Sequence, residues 1–72
     1  MTNQQLGNRL KVARAERNLS QEQLAVLAGV TRQTISAIET RQYCPSAQLA
    51  FVLAKQLGKQ VDELFFLEGE TP

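Results

Sequence analysis

Leu19-Ser20-Gln21-Glu22-Gln23-Leu24, then Gly29-Val30-Thr31, then Ile35 and Ile38, is the stretch whose reading decides the fold. Ser20 is a helix-starting residue whose hydroxyl can accept the Gln23 amide, while the Gln23 side chain can return to the Ser20 backbone, a capping box. Leu19 and Leu24 stand at the two positions of a hydrophobic staple. Gly29 falls where a helix end wants a left-handed residue. Thr31 is the next N-cap, and Val30 with Ile35 repeats the staple. Two short helices separated by Gly29, Val30 and Thr31 make a helix-turn-helix arrangement. The second of these helices is expected from Arg32 to Thr40 or Arg41.

Outward from this centre the chain is punctuated into further short helices. Leu6, Leu10 and Ala13 recur at helical spacing, which predicts a first helix from about Gln4 to Arg17, broken by Asn18. Gln42-Tyr43-Cys44-Pro45 reads as a loop, because proline biases its predecessor away from helix. Ser46 caps a fourth helix carrying Ala50, Leu53, Ala54 and Leu57 up to Gly58. A short fifth helix follows, with Val61, Leu64 and Phe65 inward and Asp62 and Glu63 at its positive end. No alternating run of β-branched residues predicts a strand, and Glu68 to Pro72 reads as a frayed polar tail. The fold class expected is all-α, five compact helices. The whole of 1–72 is expected to be one domain, with its core at about 6–66 and the tail at 68–72.

Composition narrows the function. Seventy-two residues hold one small core, without histidine and with a single cysteine, Cys44. No internal disulfide is therefore possible, and no zinc-ligand spacing exists. No cofactor is expected. Leu49 to Ala54, the longest apolar run, is too short to cross a bilayer, and no secretion signal opens the chain. A cytoplasmic protein is expected. The net charge is only +1, but it is unevenly spread. Arg9, Lys11, Arg14, Arg17, Arg32 and Arg41 outnumber Glu16, Glu22 and Glu39 up to Tyr43. Beyond it, Asp62, Glu63, Glu68 and Glu70 outnumber Lys55 and Lys59. One end thus carries a modest positive field, suited to a phosphate backbone, although scattered surface charge would look much the same.

The helix from Arg32 has two sides. Ile35 and Ile38 define the inner one, and Arg32, Gln33, Ser36, Ala37 and Thr40 gather on the outer one. That outer side is polar, short-chained and almost free of carboxylate, whereas an ordinary solvated face mixes Glu with Lys. Arg and Gln make bidentate contacts to guanine and adenine edges, and Ala or Thr methyls suit the thymine methyl. These five are the candidate base-reading residues. Gln21 opens the preceding helix, where free amides and the helix dipole attract phosphate. Thr34, Arg41 and Tyr43 are further backbone candidates, and Arg9 a weaker one on the first helix. Arg14, at the edge of the first helix's apolar stripe, requires a carboxylate, and Glu39 is the acid best placed to serve.

The motif Leu19-Ser20-Gln21-Glu22-Gln23-Leu24-Ala25, with Ala28-Gly29-Val30-Thr31 and Ile35-Ser36-x-Ile38-Glu39, resembles the Cro/phage-repressor (XRE-type) helix-turn-helix family. The likeness continues through Pro45-Ser46, Leu53-Ala54-Lys55-x-Leu57-Gly58 and Val61-Asp62-Glu63-Leu64-Phe65, and it covers about Leu6 to Phe66. It implies a lambda-repressor-like domain, phosphate contact by Gln21, base reading from Arg32, Gln33, Ser36 and Ala37 with Thr40 further along, and a buried Arg14–Glu39 pair. Glu39-Thr40-Arg41 departs from the pattern, since many members carry glycine two residues after that glutamate. Lys59 and Gln60 also depart from it, standing where an apolar residue and serine are more usual, which implies a poorly capped start of the fifth helix.

The function read from the sequence is a transcriptional regulator, a homodimeric repressor that binds an inverted repeat in double-stranded DNA through the major groove. Leu49, Phe51, Val52, Phe66 and Leu67 are its candidate dimer interface. The alternative is an antitoxin or adaptor acting through a partner protein. An enzyme is not expected, because no nucleophile–base pair or phosphate-binding loop is visible, and Cys44 has no evident base.

Overall fold

A computed structural model describes residues 5–69. The elements run β1 (Gln5–Asn8), α1 (Leu10–Glu16), α2 (Gln21–Ala28), α3 (Arg32–Glu39), α4 (Ala47–Leu57), α5 (Val61–Leu64) and β2 (Phe65–Glu68). The five helices that the caps and periodicities predict are present, in the lambda-repressor-like arrangement that the resemblance implies. A short antiparallel ribbon, β1 with β2, is added to it.

The helix boundaries follow local chemistry. The Ser20 hydroxyl accepts the Gln23 amide at 3.0 Å, and the Gln23 side chain accepts the Ser20 amide at 2.8 Å. Thr31 accepts the Thr34 amide at 3.2 Å, and Ser46 accepts the Leu49 amide at 3.1 Å. Each such cap satisfies a donor that the helix itself cannot. Gly29 ends α2 in the left-handed conformation, at φ 73°, which costs glycine little. Asn18, at φ 55°, makes the same kind of break after α1.

The core is contributed by every helix. Leu10, Leu24, Ile35, Ile38, Leu53, Leu57 and Leu64 are fully buried, with Ala13, Ala25, Ala50, Ala54 and Phe65 packed among them. Burying one such aliphatic side chain stabilises the fold by about 1.5–3 kcal/mol. The α2–α3 unit rests on this core through Leu24, Ala25, Ile35 and Ile38, so the outer side of α3 is left facing solvent.

Three features differ from the sequence reading. The first helix begins at Leu10 rather than Gln4, because Gln5–Asn8 pair with β2 in the register Gln5↔Glu68, Leu6↔Leu67, Gly7↔Phe66 and Asn8↔Phe65. Leu6 still packs against the core, but from a strand. Its spacing to Leu10 and Ala13 mimics a helical repeat by coincidence. Glu68 is not frayed: it closes the ribbon and pairs with Arg41. Gln4 and Glu70–Pro72 lie outside the described residues. The start of α5 is also better served than Lys59 and Gln60 suggest, since the Glu63 carboxylate accepts the Gln60 amide at 2.8 Å.

Candidate nucleic-acid interface

The turn Gly29-Val30-Thr31 sets α3 across the end of α2, and the polar side of α3 faces out. Arg32, Gln33 and Thr40 are exposed, and Ser36 and Ala37 are half-buried between them. The Thr40 hydroxyl donates back to the Ser36 carbonyl at 3.0 Å, which leaves its methyl group and both oxygen lone pairs unused. None of these side chains is a carboxylate, and the neighbouring acid, Glu39, is turned away from them.

Glu39 is held by two partners. Arg14 Nε donates to its Oε2 at 2.9 Å, and Gln21 Nε2 donates to its Oε1 at 3.0 Å. The Arg14 Nη1 also donates to the Leu19 carbonyl at 2.8 Å. The Arg14 side chain is 15% exposed and that of Glu39 is 7% exposed. One carboxylate therefore joins α1, the start of α2 and the end of α3, and fixes the angle at which α3 is presented. A pair this buried is costly to break, because either partner left alone is an uncompensated charge.

Gln21 uses one of its two amide hydrogens on Glu39 and keeps the other. It opens α2, where first-turn amides lack helical partners. Thr34 is half-buried, its hydroxyl 3.0 Å from that of Thr31. Tyr43 is exposed in the loop after α3. Arg41 has φ 65°, so it takes the left-handed position where the family pattern carries glycine. Its guanidinium pairs with Glu68. Arg9 precedes α1 rather than lying on it, and its guanidinium stacks 4.4 Å from the centre of the Phe66 ring.

The five interface candidates do not form one patch. Leu49 and Val52 line a shallow groove beside Ala28 and Val30. Phe51 is about 100° or more from either on the α4 wheel. It neighbours Lys55, Lys59 and Val61 instead and is 65% exposed. Phe66 is half-buried under Arg9 and against Gly7, and Leu67, 64% exposed, projects from the ribbon.

The sequence reading passed over Asn8. Its side-chain oxygen accepts the Leu10 amide at 3.1 Å, and its amide donates to the Ile38 carbonyl at 2.9 Å. It thus caps α1 and grips the last turn of α3 at once. An asparagine two residues before Leu10 is a helix-start signal, but its second bond, spanning thirty residues, has no local signature.

Two capped helices joined by a tight turn, the second with a polar outer side, define a helix-turn-helix protein. The helix-turn-helix family model matches residues 10–64. The chain is 49% identical over 63 residues to an uncharacterised HTH-type transcriptional regulator of Methanocaldococcus jannaschii, covering 88% of this chain and 96% of that one. It is 39% identical over 59 residues to the immunity repressor protein of Bacillus phage phi105, covering 82% of this chain and 41% of the longer repressor. Among solved structures it is similar to the restriction-modification controller protein C.AhdI from Aeromonas hydrophila. That likeness has a TM-score of 0.72 and 34% identity, and it covers 76% of this chain and 80% of the other. The chain belongs to the Cro/phage-repressor (XRE-type) helix-turn-helix family of transcriptional regulators. Among the described residues, no helix is long and apolar enough to cross a membrane.

Proposed function

We propose that this chain is a cytoplasmic, dimeric repressor that reads an inverted-repeat operator, with α3 in the major groove. The observation that carries the reading is the outer side of α3, polar and free of carboxylate, held at a set angle by Arg14, Gln21 and Glu39. Arg32, Gln33, Ser36, Ala37 and Thr40 read base edges, while Gln21, Thr34, Arg41 and Tyr43 meet the sugar-phosphate backbone. A single helix covers only a few base pairs, so two copies are needed for useful selectivity, with half-sites about 34 Å apart. No catalytic step is part of this role.

Selection of sites from a random duplex pool, followed by titration against salt, tests the reading. One inverted repeat and a steep salt slope are expected. On that operator Gln33→Ala costs about 1–3 kcal/mol and relaxes preference at one position, while Gln21→Ala weakens all duplexes alike. Recovery of no sequence would sink the proposal. For the dimer, Phe51 and Leu67 are the exposed apolar candidates, and they are tested separately. Sedimentation of Phe51→Glu and Leu67→Glu should show one of the two as a monomer; if both remain dimeric, neither residue is at the interface.

A second reading, an adaptor or antitoxin acting through a protein partner, is favoured by Val26. It is 74% exposed beside the half-exposed Leu27 on α2. Sequence-selective duplex binding by the purified chain alone would rule out a purely adaptor role.

A further inference from the structure

Among the described residues two Arg–Glu pairs meet the C-terminal end of α3, and they differ in one respect that matters for binding. Arg14–Glu39 is nearly sealed from water. Arg41–Glu68 is open: the Arg41 side chain is 50% exposed and that of Glu68 is 31% exposed. An open pair of this kind is weakly held and exchanges readily. Arg41 is the first residue beyond the C-cap of the reading helix, turned out of it by a left-handed backbone. Its guanidinium fork accepts a carboxylate and a phosphate with the same geometry. Glu68, the last residue of β2, therefore occupies the group that a DNA phosphate would take.

The ribbon does not depend on that pair for its seat. Asn8 donates to the Ile38 carbonyl at 2.9 Å, and the Arg9 amide donates to the Leu64 carbonyl at 2.9 Å. Phe65 is buried in the core. Arg41 can leave Glu68 while β1 and β2 stay in place.

We infer that Glu68 is an internal competitor of DNA phosphate for Arg41. In the free protein the carboxylate neutralises the guanidinium; on the duplex a phosphate replaces it. The C-terminal strand thereby lowers the sequence-independent part of the affinity and leaves base preference untouched. The inference rests on the proposed role of Arg41 at the DNA backbone.

Fluorescence anisotropy with an operator duplex and an unrelated duplex, at low salt, tests it on the full chain. Glu68→Gln keeps the shape of the side chain, and Glu68→Thr, which favours strand, serves as a second variant; circular dichroism checks that both remain folded. Each should bind both duplexes about two- to five-fold more tightly than the parent. Placed on Arg41→Ala, either substitution should give no gain. A gain that persists without Arg41 would mean that Glu68 simply repels DNA through space, and the inference would fall. Binding by the parent with no response to either variant would overturn this inference alone. No duplex binding by the parent at any salt would overturn the proposed function and the inference with it.

Discussion

The α2–α3 unit and the β1–β2 ribbon both hold α3, and they are built by opposite means. α2 and α3 are set by neighbours in sequence: Ser20 with Gln23, Leu19 with Leu24, Gly29 in its left-handed turn, and Thr31 with Thr34. Each of these contacts spans five residues or fewer. The ribbon joins Gln5 to Glu68, so nothing local announces it, and its strands are only four residues each. It is nonetheless tied to α3 by Asn8 and by Glu68. The difference teaches that α3 is started and ended by its own segment but positioned by contacts distant in sequence, through Glu39, Asn8 and Arg41.

The largest effect that would test this comparison lies where the two kinds of contact meet. Glu39→Ala leaves the Arg14 guanidinium buried without its carboxylate, and should cost about 3–5 kcal/mol in urea unfolding. A domain of this size holds on the order of 5 kcal/mol in all, so the variant should be close to unfolded at room temperature. A loss below 1 kcal/mol would show that α3 does not need this tie. Next comes the ribbon itself. A Cβ at Gly7 would stand 2.5 Å from the Phe66 ring and 2.9 Å from the Glu68 carboxyl carbon. Gly7→Val should therefore destabilise by about 1–3 kcal/mol. Hydrogen exchange should quicken in residues 5–8 and 65–68 while α2 and α3 stay protected; equal loosening of both would mean that the two regions fold as one unit.

Asn8→Ala removes the donor to Ile38 and the cap on Leu10, for an expected loss of about 1–2 kcal/mol. Its mark is a shift of the Ile38 to Arg41 amide resonances, far from residue 8 in sequence. An unchanged end of α3 would remove the ribbon's positioning role. The smallest effect is Ser20→Ala, about 1 kcal/mol, confined to the first turn of α2. If its disturbance spread to the ribbon, the division between local and non-local support would fail.

Much of the candidate site was legible because helix-turn-helix grammar is short-range. Caps, staples and a glycine end place α2 and α3 within a residue or two, and the 3.6-residue period then sorts Ile35 and Ile38 from Gln33 and Ala37. The Arg14–Glu39 pair was also within reach, because a guanidinium on an apolar stripe demands an acid and few were available. What could not be read was of a different kind. Leu6-Gly7-Asn8 and Phe65-Phe66-Leu67 have no β-branched alternation, and Leu6 fell into step with a helix by chance. Gln21 was read as a phosphate candidate, and its bond to Glu39 has no local signature. Arg41 was read as a candidate for the DNA backbone, with no sign that a glutamate twenty-seven positions away engages it.

The amino-acid sequence by itself determined the five helices, their caps, the apolar set that buries them and the carboxylate-free side of α3. Those follow from contacts within a turn or two and from periodicity, which a linear string contains. The tertiary structure alone decided the ribbon, the grip of Asn8 on α3, the sharing of Glu39 and the capture of Arg41 by Glu68. Each depends on which distant backbone and side-chain groups come within hydrogen-bonding distance once the core has closed, and no local pattern encodes that distance.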